Sequence, residues 1–209
     1  MNIIDSQSLP LVSILINNYN YATFLKEAID SALNQTYTNI EVIVVDDGSK
    51  DNSQEIITSY GDKIIPVLKE NGGQASAFNA GFAASKGKII CFLDADDVFY
   101  PDKVNQIVDL FAQVTPENSN VTIFNSLQAI DSNGKSLELE INKGCELSDL
   151  NYQRAFNRQK NQQLTKICSP EEVYQHAKKY RYVPYLASPT SGFILSRSLA
   201  EKIFPIPYE

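Results

Sequence analysis

The sequence predicts an α/β fold: a three-layer sandwich in which helices pack on both faces of a mostly parallel, doubly wound sheet. Two observations support this prediction. Short apolar runs alternate with segments of helical periodicity through the first half of the chain. Polar or acidic residues directly follow several of these runs, which is where open α/β sheets bind ligands. The 209 residues are enough for one well-buried domain and marginal for two.

The predicted elements follow one another in βα order. Predicted strands are Leu11–Ile16, Ile40–Val45, Ile64–Leu68 and the run from Ile89 to Leu93. Predicted helices are Phe24–Leu33, a short helix through Ile56 and Ile57 with Asp51 or Ser53 near its N-cap, Gln74–Ala84, and one that begins at Pro101. Beyond Val121 the pattern predicts strands at Val121–Phe124 and Phe193–Leu195, a hairpin turn at Asp131–Gly134, and helices from Ser169 and over Ser198–Ile203.

The net charge of −7 argues against nucleic acid as the main partner, because nucleic-acid-binding proteins usually carry a basic field. The charge is unevenly distributed. The segment 140–185 is polar and basic, and it includes Arg154, Arg158, Lys160 and Lys166. A solvated helical face is the simplest interpretation of these residues. The alternative is peripheral contact with an anionic membrane surface or a phosphate-bearing lipid acceptor.

The three cysteines form no Cys-x-x-Cys pair, so the sequence indicates neither a disulfide framework nor a zinc site. Cys91 lies within an apolar run and is expected in the core. His176 is the only histidine, which excludes a multi-histidine metal site. The chain shows no signal-peptide pattern and no apolar run of about 20 residues. We therefore expect a cytoplasmic protein, and contact with the inner face of the membrane stays open.

Acidic residues follow two of the predicted strands. Asp46-Asp47 comes after the strand that ends at Val45, and Asp94-Ala95-Asp96-Asp97 comes after the strand that begins at Ile89. We expect the two clusters in equivalent positions at the carboxyl edge of the sheet. Carboxylates suit Mg²⁺ or Mn²⁺, which often share their oxygen ligands with a substrate diphosphate. The simpler interpretation is that aspartate favours turns after strands.

Five segments carry the most specific pattern in the chain. They are Val12-Ser13-Ile14-Leu15-Ile16 with Asn17-Asn18-Tyr19-Asn20, Ser31-Ala32-Leu33-Asn34-Gln35-Thr36-Tyr37, Val44-Val45-Asp46-Asp47-Gly48-Ser49, Asn71-Gly72-Gly73 through Asn79-Ala80-Gly81, and Phe92-Leu93-Asp94-Ala95-Asp96-Asp97. In this order and spacing they resemble the family 2 glycosyltransferases of the GT-A fold. The resemblance is close over about residues 10–115 and loose beyond. It implies a metal-dependent, inverting transferase that uses a nucleotide-diphosphate-sugar donor with Mn²⁺ or Mg²⁺.

Carried over by position, the resemblance implies roles for single residues. Asn17 and Tyr19 line the nucleotide pocket, with Tyr19 beside the base, and Asp47 recognises the base. Asp94 meets the ribose or the sugar. Asp96 binds the metal that bridges the donor diphosphate.

The resemblance also places the segment from Gly72 to Asn79, including Gly73 and Gln74, at the border of the donor pocket. Two positions depart from the family. Pro-Thr is common where this chain has Asn17-Asn18, and Arg is common where it has Phe78. The second departure concerns contacts to the phosphates and the sugar of the donor.

Transfer with inversion needs a general base that deprotonates the acceptor hydroxyl. In the resembled family this base is an acidic residue that follows a segment like Ser191 to Phe204, so we expect it beyond Glu209. The catalytic residue is therefore not identified. The resemblance divides the chain into a donor-binding half, 1–115, and an acceptor-side half, 116–209, with the polar helical insertion at about 140–185 and a truncated C-terminus. The two halves are expected to form one structural domain.

Two other functions fit parts of the pattern. A non-catalytic nucleotide-sugar-binding module would have the same donor pocket and would lack only the base. Haloacid-type phosphatases also place Asp-x-Asp after a strand, but theirs follows the first strand, whereas Asp94 follows the fourth. The acceptor of a transferase stays open among glycans, lipids and proteins, because fold alone does not determine it.

Overall fold

The computed structural model describes residues 9–114, 120–124, 166–168 and 190–207. Within these residues seven strands form one sheet in the order β3-β2-β1-β4-β7-β5-β6. The strands are β1 Val12–Asn18, β2 Ile40–Asp47, β3 Ile65–Lys69, β4 Ile89–Asp94, β5 Thr122–Phe124, β6 Lys166–Cys168 and β7 Phe193–Ser196. The helices are α1 Ala22–Leu33, α2 Ser53–Ser59, α3 Gly73–Ala84, α4 Lys103–Val114 and α5 Arg197–Ile203.

The first four strands are parallel, and β1 lies at their centre with β2 on one side and β4 on the other. Because successive strand residues point to opposite faces, each strand contributes to two cores. Ile14 and Ile16 pack with α1 and α4 on one face. Leu15 packs with α3 and α5 on the other. Helices thus cover both faces, and the predicted three-layer α/β sandwich with a mostly parallel sheet is confirmed.

The second part of the sheet changes direction. β7 pairs antiparallel with β4, and β5 pairs antiparallel with β7. Ser196 fixes this junction, since its amide donates to the Val121 carbonyl at 2.8 Å and its hydroxyl accepts from the Val121 amide at 3.0 Å. The same hydroxyl accepts from Leu199 and caps α5. The predicted strand at 193–195 and the predicted helix at 198–203 are therefore confirmed.

Three details differ from the sequence-based predictions. β2 continues through Asp47, so both aspartates belong to the strand instead of to the turn behind it. α4 begins at Lys103, two positions after Pro101, because residues 101 and 102 form a turn. Phe24 is exposed, although the periodicity placed it on the buried face of α1. The prediction of Asp51 or Ser53 near the N-cap of α2 is confirmed: both flank the N-cap residue Asn52, and Asp51 accepts hydrogen bonds from the amide and the hydroxyl of Ser53.

Some predictions lie outside the described residues. They are the hairpin turn at Asp131–Gly134, the helix from Ser169, the position of His176 and most of the basic segment 140–185.

Candidate donor site at the carboxyl edge of the sheet

Three of the predicted site residues meet on one face of the sheet. Asn17 pairs in register with Val45 on β2 and with Asp94 on β4. Residues in register on neighbouring parallel strands point to the same face, and Asp47 lies two positions after Val45, so it points there too. This is the face that α3 covers, because Val45 packs in the core cluster to which Ala77 of α3 also belongs. Asn17, Asp47 and Asp94 therefore share one corner of the carboxyl edge.

Asp46 points to the opposite face and has a different environment. Its side chain is fully buried. The carboxylate accepts hydrogen bonds from Asn18 Nδ2 at 2.8 Å, from Gln54 Nε2 at 3.1 Å, and from the amide and the hydroxyl of Ser49. These donors come from the end of β1, the turn after β2 and the first turn of α2. Asp46 therefore connects three elements and is not available to a ligand.

The Asp47 carboxylate is held by the loop before α3. It accepts from the backbone N–H groups of Gly72, at 3.0 Å, and Gly73, at 2.8 Å, and it pairs with the ammonium group of Lys69. Only 4% of the Asp47 residue surface is exposed. An anion at the N-terminus of a helix is stabilised by the unpaired N–H groups and by the helix dipole. Asp47 therefore fixes the start of α3 on the end of β2.

Gly48 allows this loop to approach β2 so closely. Its φ is +75°, and a Cβ atom on Gly48 would lie 2.6 Å from the amide nitrogen of Asn71. Asn71 in turn donates from Nδ2 to the carbonyl of Asp47 at 2.9 Å. A side chain at position 48 would force the two segments apart, so glycine is required there for steric as well as conformational reasons.

Asn17 is a buried polar group without a partner among the described residues. Neither its Oδ1 nor its Nδ2 makes a hydrogen bond, and both atoms are inaccessible to solvent. Leaving such a group unpaired costs about 1–3 kcal/mol. The side chain sits at the end of the central strand, between Val45 and Asp94. Buried amides in this position are typical of sites that accept a ligand or an ordered water.

The second acidic cluster is open to solvent. Asp94 is the last residue of β4 and is half-buried, Asp96 is exposed, and Asp97 is half-buried. Asp97 donates its backbone N–H to the Asp94 carbonyl at 3.1 Å, which closes a tight turn. The backbone amide of Asp94 donates to the hydroxyl oxygen of Ser191 at 2.8 Å. The turn that precedes β7 therefore supports the end of β4.

Lys103 and Cys91 lie beneath this turn. The Lys103 ammonium stands 4.4 Å from the centre of the Phe99 ring and donates to the Ser191 carbonyl at 3.1 Å. Desolvation lowers the pKa of Lys103 to about 8, against the opposing effects of Cys91 and Asp97. Burial raises the pKa of the Cys91 thiol to about 12, so the expected role of Cys91 as a core residue is confirmed.

The remaining predicted residues border the same edge. Tyr19 follows β1 with 43% of its surface exposed. Gly73 is the first residue of α3, with φ of +80°, and Gln74 is exposed in its first turn. A shallow depression of about 530 Å³ lies next to this corner, beyond the ends of β2 and β3, and is lined by residues that include Lys69, Glu70 and Asn71.

The carboxylates fit a hard divalent cation that is shared with a diphosphate. Within the part of the chain that the structure describes, no three His, Cys, Asp or Glu side chains cluster as a metal site. Mg²⁺ is usually bound through one or two carboxylates plus substrate phosphates, which needs no such cluster. The exposed carboxylate of Asp96, with Asp94 two positions away, meets that smaller requirement.

Sequence reasoning missed two contributors to the site. Lys69 pairs with Asp47, and Ser191 supports Asp94. The signal for Lys69 was weak, because a lysine at the end of an edge strand is common on protein surfaces. In the sequence-based predictions Ser191 is only the first residue of the segment that precedes the expected general base. Its contact with Asp94 spans 97 positions in the sequence and has no local pattern.

Comparisons with known proteins agree on one family. The sequence model of glycosyl transferase family 2 matches residues 13–181. An uncharacterized glycosyltransferase of Nostoc sp. is 38% identical over 200 residues, which cover 93% of this chain and 53% of the relative. The chondroitin synthase of Pasteurella multocida is 42% identical over 130 residues, which cover 58% of this chain and 14% of the synthase. The chain thus spans about half, or less, of the length of these curated relatives.

Among solved structures, the chain is similar to a mannosyltransferase from Pyrobaculum calidifontis in complex with GDP-Man and Mn²⁺. The identity is 25%, the match covers 56% of this chain and 36% of that one, and the TM-score is 0.47. It is also similar to S. aureus TarS 1–349 in complex with UDP, with 21% identity, 63% and 39% coverage, and a TM-score of 0.47. Because the family match extends over most of the sequence, this chain belongs to glycosyl transferase family 2.

Proposed function

We propose that this chain binds a nucleotide-diphosphate sugar at the corner formed by Asn17, Asp47 and Asp94. The whole protein then transfers the sugar to a hydroxyl group of an acceptor, with inversion. Membership of the family supports transfer from such a donor. The single observation that supports this location of the donor site is the strand register, which brings Asn17 and Asp94 together on the face covered by α3.

Each residue has a role that its surroundings permit. Among the described residues, neither the acceptor nor the donor of the Asn17 side chain has a partner, so this side chain suits the polar edge of a nucleotide. Tyr19 is exposed beside it and can stack on the base. Asp47 accepts the imide N–H of the base. Its carboxylate has about four lone-pair sites, so the base joins or replaces one of the contacts from Lys69, Gly72 and Gly73.

The polar groups around the diphosphate come from the second cluster. Asp94, half-buried at the end of β4, accepts hydrogen bonds from a hydroxyl of the ribose or the sugar. Asp96 would hold Mn²⁺ or Mg²⁺, and such a cation would neutralise phosphate charge and stabilise the leaving nucleotide. The N-terminus of α3, with Gly73 and Gln74, borders the pocket.

The proposal for the acceptor side follows from the expected division of the chain into two halves. In this proposal 1–115 binds the donor and 116–209 faces the acceptor, with 140–185 in peripheral contact with a membrane or a lipid acceptor. The general base is not assigned to any of the described residues, and the product is a polysaccharide or another glycoconjugate. No helix of the described residues has both the length and the apolar character needed to cross a bilayer.

A non-catalytic nucleotide-sugar-binding module is the second candidate. Asp47 favours it, because the carboxylate of Asp47 already has partners inside the protein and holds the pocket in shape without any step of a reaction. The donor site would be the same in both cases. Sugar transfer or donor hydrolysis by the full-length protein separates the two functions.

The test of the donor site is calorimetric titration of UDP, GDP and dTDP, each with and without Mn²⁺. The proteins are the wild type, Asp96→Ala, and Asp102→Ala as a control that removes an exposed carboxylate from the nearby start of α4. We expect metal-dependent binding of one nucleotide, lost in Asp96→Ala and retained in Asp102→Ala. Absence of nucleotide binding in the wild type with Mn²⁺ would contradict the proposal.

A further inference from the structure

The segment after α5 is fastened to the middle of α3 by one side chain. Asn79 Nδ2 donates to the carbonyl of Ile206 at 2.8 Å, and the amide of Ile206 donates to Asn79 Oδ1 at 2.7 Å. Both functions of the side-chain amide are therefore used on the backbone of a single residue, 127 positions away. Among side chains of this length, only an amide offers a donor and an acceptor side by side.

Aromatic contacts with α3 and β4 also hold this segment. The ring of Phe204 stacks on Phe82 of α3, with ring centres 4.6 Å apart and planes inclined by 23°. It also lies nearly parallel to the ring of Phe92 on β4, at 6.2 Å. Offset stacks of this kind add about 0.5–1.5 kcal/mol to the burial of the rings. The segment 204–207 therefore has a defined direction along α3.

α3 itself is fixed to the candidate donor site. Its first N–H groups, those of Gly72 and Gly73, bind the Asp47 carboxylate. Gly81 lies so close to β2 that a Cβ atom there would stand 3.1 Å from Val45 Cγ2. One helix thus contacts Asp47 with its start and the segment 204–207 with its middle, and the two regions share a rigid support.

We propose that Asn79 is a positioning residue, which sets the direction of the chain after Ile206 relative to the donor site. The inference rests on the proposed function, because the expected general base follows this segment in the sequence. The resemblance ends the border of the donor pocket at Asn79, but both polar atoms of its side chain bind the backbone of Ile206, so in this arrangement it touches neither donor nor acceptor. Its substitution changes the rate of transfer through the placement of the chain beyond Ile206, and it leaves nucleotide affinity unchanged.

The first experiment does not depend on activity. Hydrogen exchange at the Ile206 amide is measured in the wild type, in Asn79→Leu, which removes both hydrogen bonds at similar volume, and in Asn79→Asp, which keeps the acceptor for the Ile206 amide. Ala83→Leu, on the exposed side of α3, is the matched control. We expect hydrogen exchange at the Ile206 amide to accelerate about tenfold in Asn79→Leu. It should accelerate less in Asn79→Asp and should not change in Ala83→Leu. Equal exchange in all four proteins would overturn the inference.

The second experiment uses the full-length protein and the nucleotide identified by titration. We expect kcat for transfer to fall about tenfold in Asn79→Leu and to recover partly in Asn79→Asp, while the donor KM stays within about twofold. If Asn79 had a purely structural role, its substitution would lower the melting temperature without changing kcat per folded molecule. That result would overturn the inference. If the wild type binds no nucleotide and transfers no sugar, the proposed function fails, and the exchange data still report whether Asn79 holds Ile206.

Discussion

The two acidic clusters at the carboxyl edge look alike in the sequence and differ in their surroundings. Asp46 and Asp47 are buried, and donors of the protein itself engage both carboxylates. Asp96 is exposed, and Asp94 is half-buried. The first cluster holds the edge of the sheet together, whereas the second presents a carboxylate to solvent. Position after a strand therefore does not by itself identify a ligand-binding aspartate.

The difference follows from where each strand ends. β2 continues through both of its aspartates, so the alternation of the strand directs Asp46 toward α2 and Asp47 toward α3. β4 ends at Asp94, and the turn that follows places Asp96 outside the sheet. Two of the five aspartates in these clusters, Asp46 and Asp47, are thus bound by neighbouring elements before any ligand binds.

The largest effect is expected at Asp46. Asp46→Asn keeps the volume but replaces an acceptor by an NH₂ group that faces the donors of Asn18, Ser49 or Gln54. We expect the free energy of unfolding to fall by about 3 kcal/mol, because a buried network loses a charged acceptor. Urea denaturation measures it, with Asp96→Asn as the matched control at an exposed site, expected within about 0.5 kcal/mol of the wild type. Similar losses in both variants would remove the contrast between the clusters.

A smaller loss is expected at Asp47. Its partners are the exposed residues Gly72 and Gly73 and the partly exposed Lys69, which can turn to water when the carboxylate is altered. We expect Asp47→Asn to destabilise by about 2 kcal/mol and Lys69→Met by less than about 1 kcal/mol, as for a partly exposed ion pair. The measurement is again urea denaturation. A loss in Lys69→Met that equals the loss in Asp47→Asn would show that the ion pair, not the helix N-terminus, holds Asp47.

At Asp96 the effect should appear in binding and not in stability. We expect Asp96→Asn to weaken the Mn²⁺-dependent affinity for the nucleotide at least about tenfold, which corresponds to about 1.4 kcal/mol. The midpoint of urea unfolding should not change. Asp102→Asn, at another exposed site, should bind within about twofold of the wild type. An unchanged affinity in Asp96→Asn would show that the metal, if bound, is held elsewhere.

The smallest effect concerns alkaline stability beside the second cluster. The pKa of Lys103 is lowered from 10.5 to about 8 in the folded chain. Above pH 8 the unfolded chain therefore binds more protons at this residue, and stability should rise with pH. The pKa of Cys91 is raised from 9.0 to about 12, so the contribution of Cys91 to the stability of the fold decreases only above pH 9. Thermal unfolding should show a higher melting temperature at pH 9 than at pH 8 in the wild type.

Lys103→Met is the control for this prediction. The two pH values are the pKa of Lys103 in the folded chain, about 8, and the ordinary pKa of cysteine, 9.0. The variant lacks the titrating ammonium, so its melting temperature should not rise between them. A rise of equal size in the variant would assign the pH dependence to another group.

Local pattern predicted much of the fold and part of the site. The apolar runs and helical faces located β1 to β4 and α1 to α4, because the strands form short apolar runs and each helix buries one face against the sheet. The antiparallel insertion of β7 between β4 and β5 was not predicted, since two short strands far apart in the sequence contain no information about their pairing. The contacts of Asp47 with Lys69 and of Asp94 with Ser191 were not predicted for the same reason, because each joins residues that are far apart in the sequence. The family resemblance supplied the site residues, and their roles stay predictions.

One feature of the sheet bears on how this protein can change over evolution. Among the described residues the chain leaves the sheet at Phe124 and next enters it at Lys166, and these two residues are directly opposite each other in the antiparallel pair β5–β6. The ends of the intervening stretch are therefore held together whatever its length. The entropic cost of closing such a loop grows only logarithmically, by about 0.6 kcal/mol per doubling. Insertions, deletions or exchanged modules can thus accumulate there while the register of β1, β2 and β4, and with it the donor corner, is preserved.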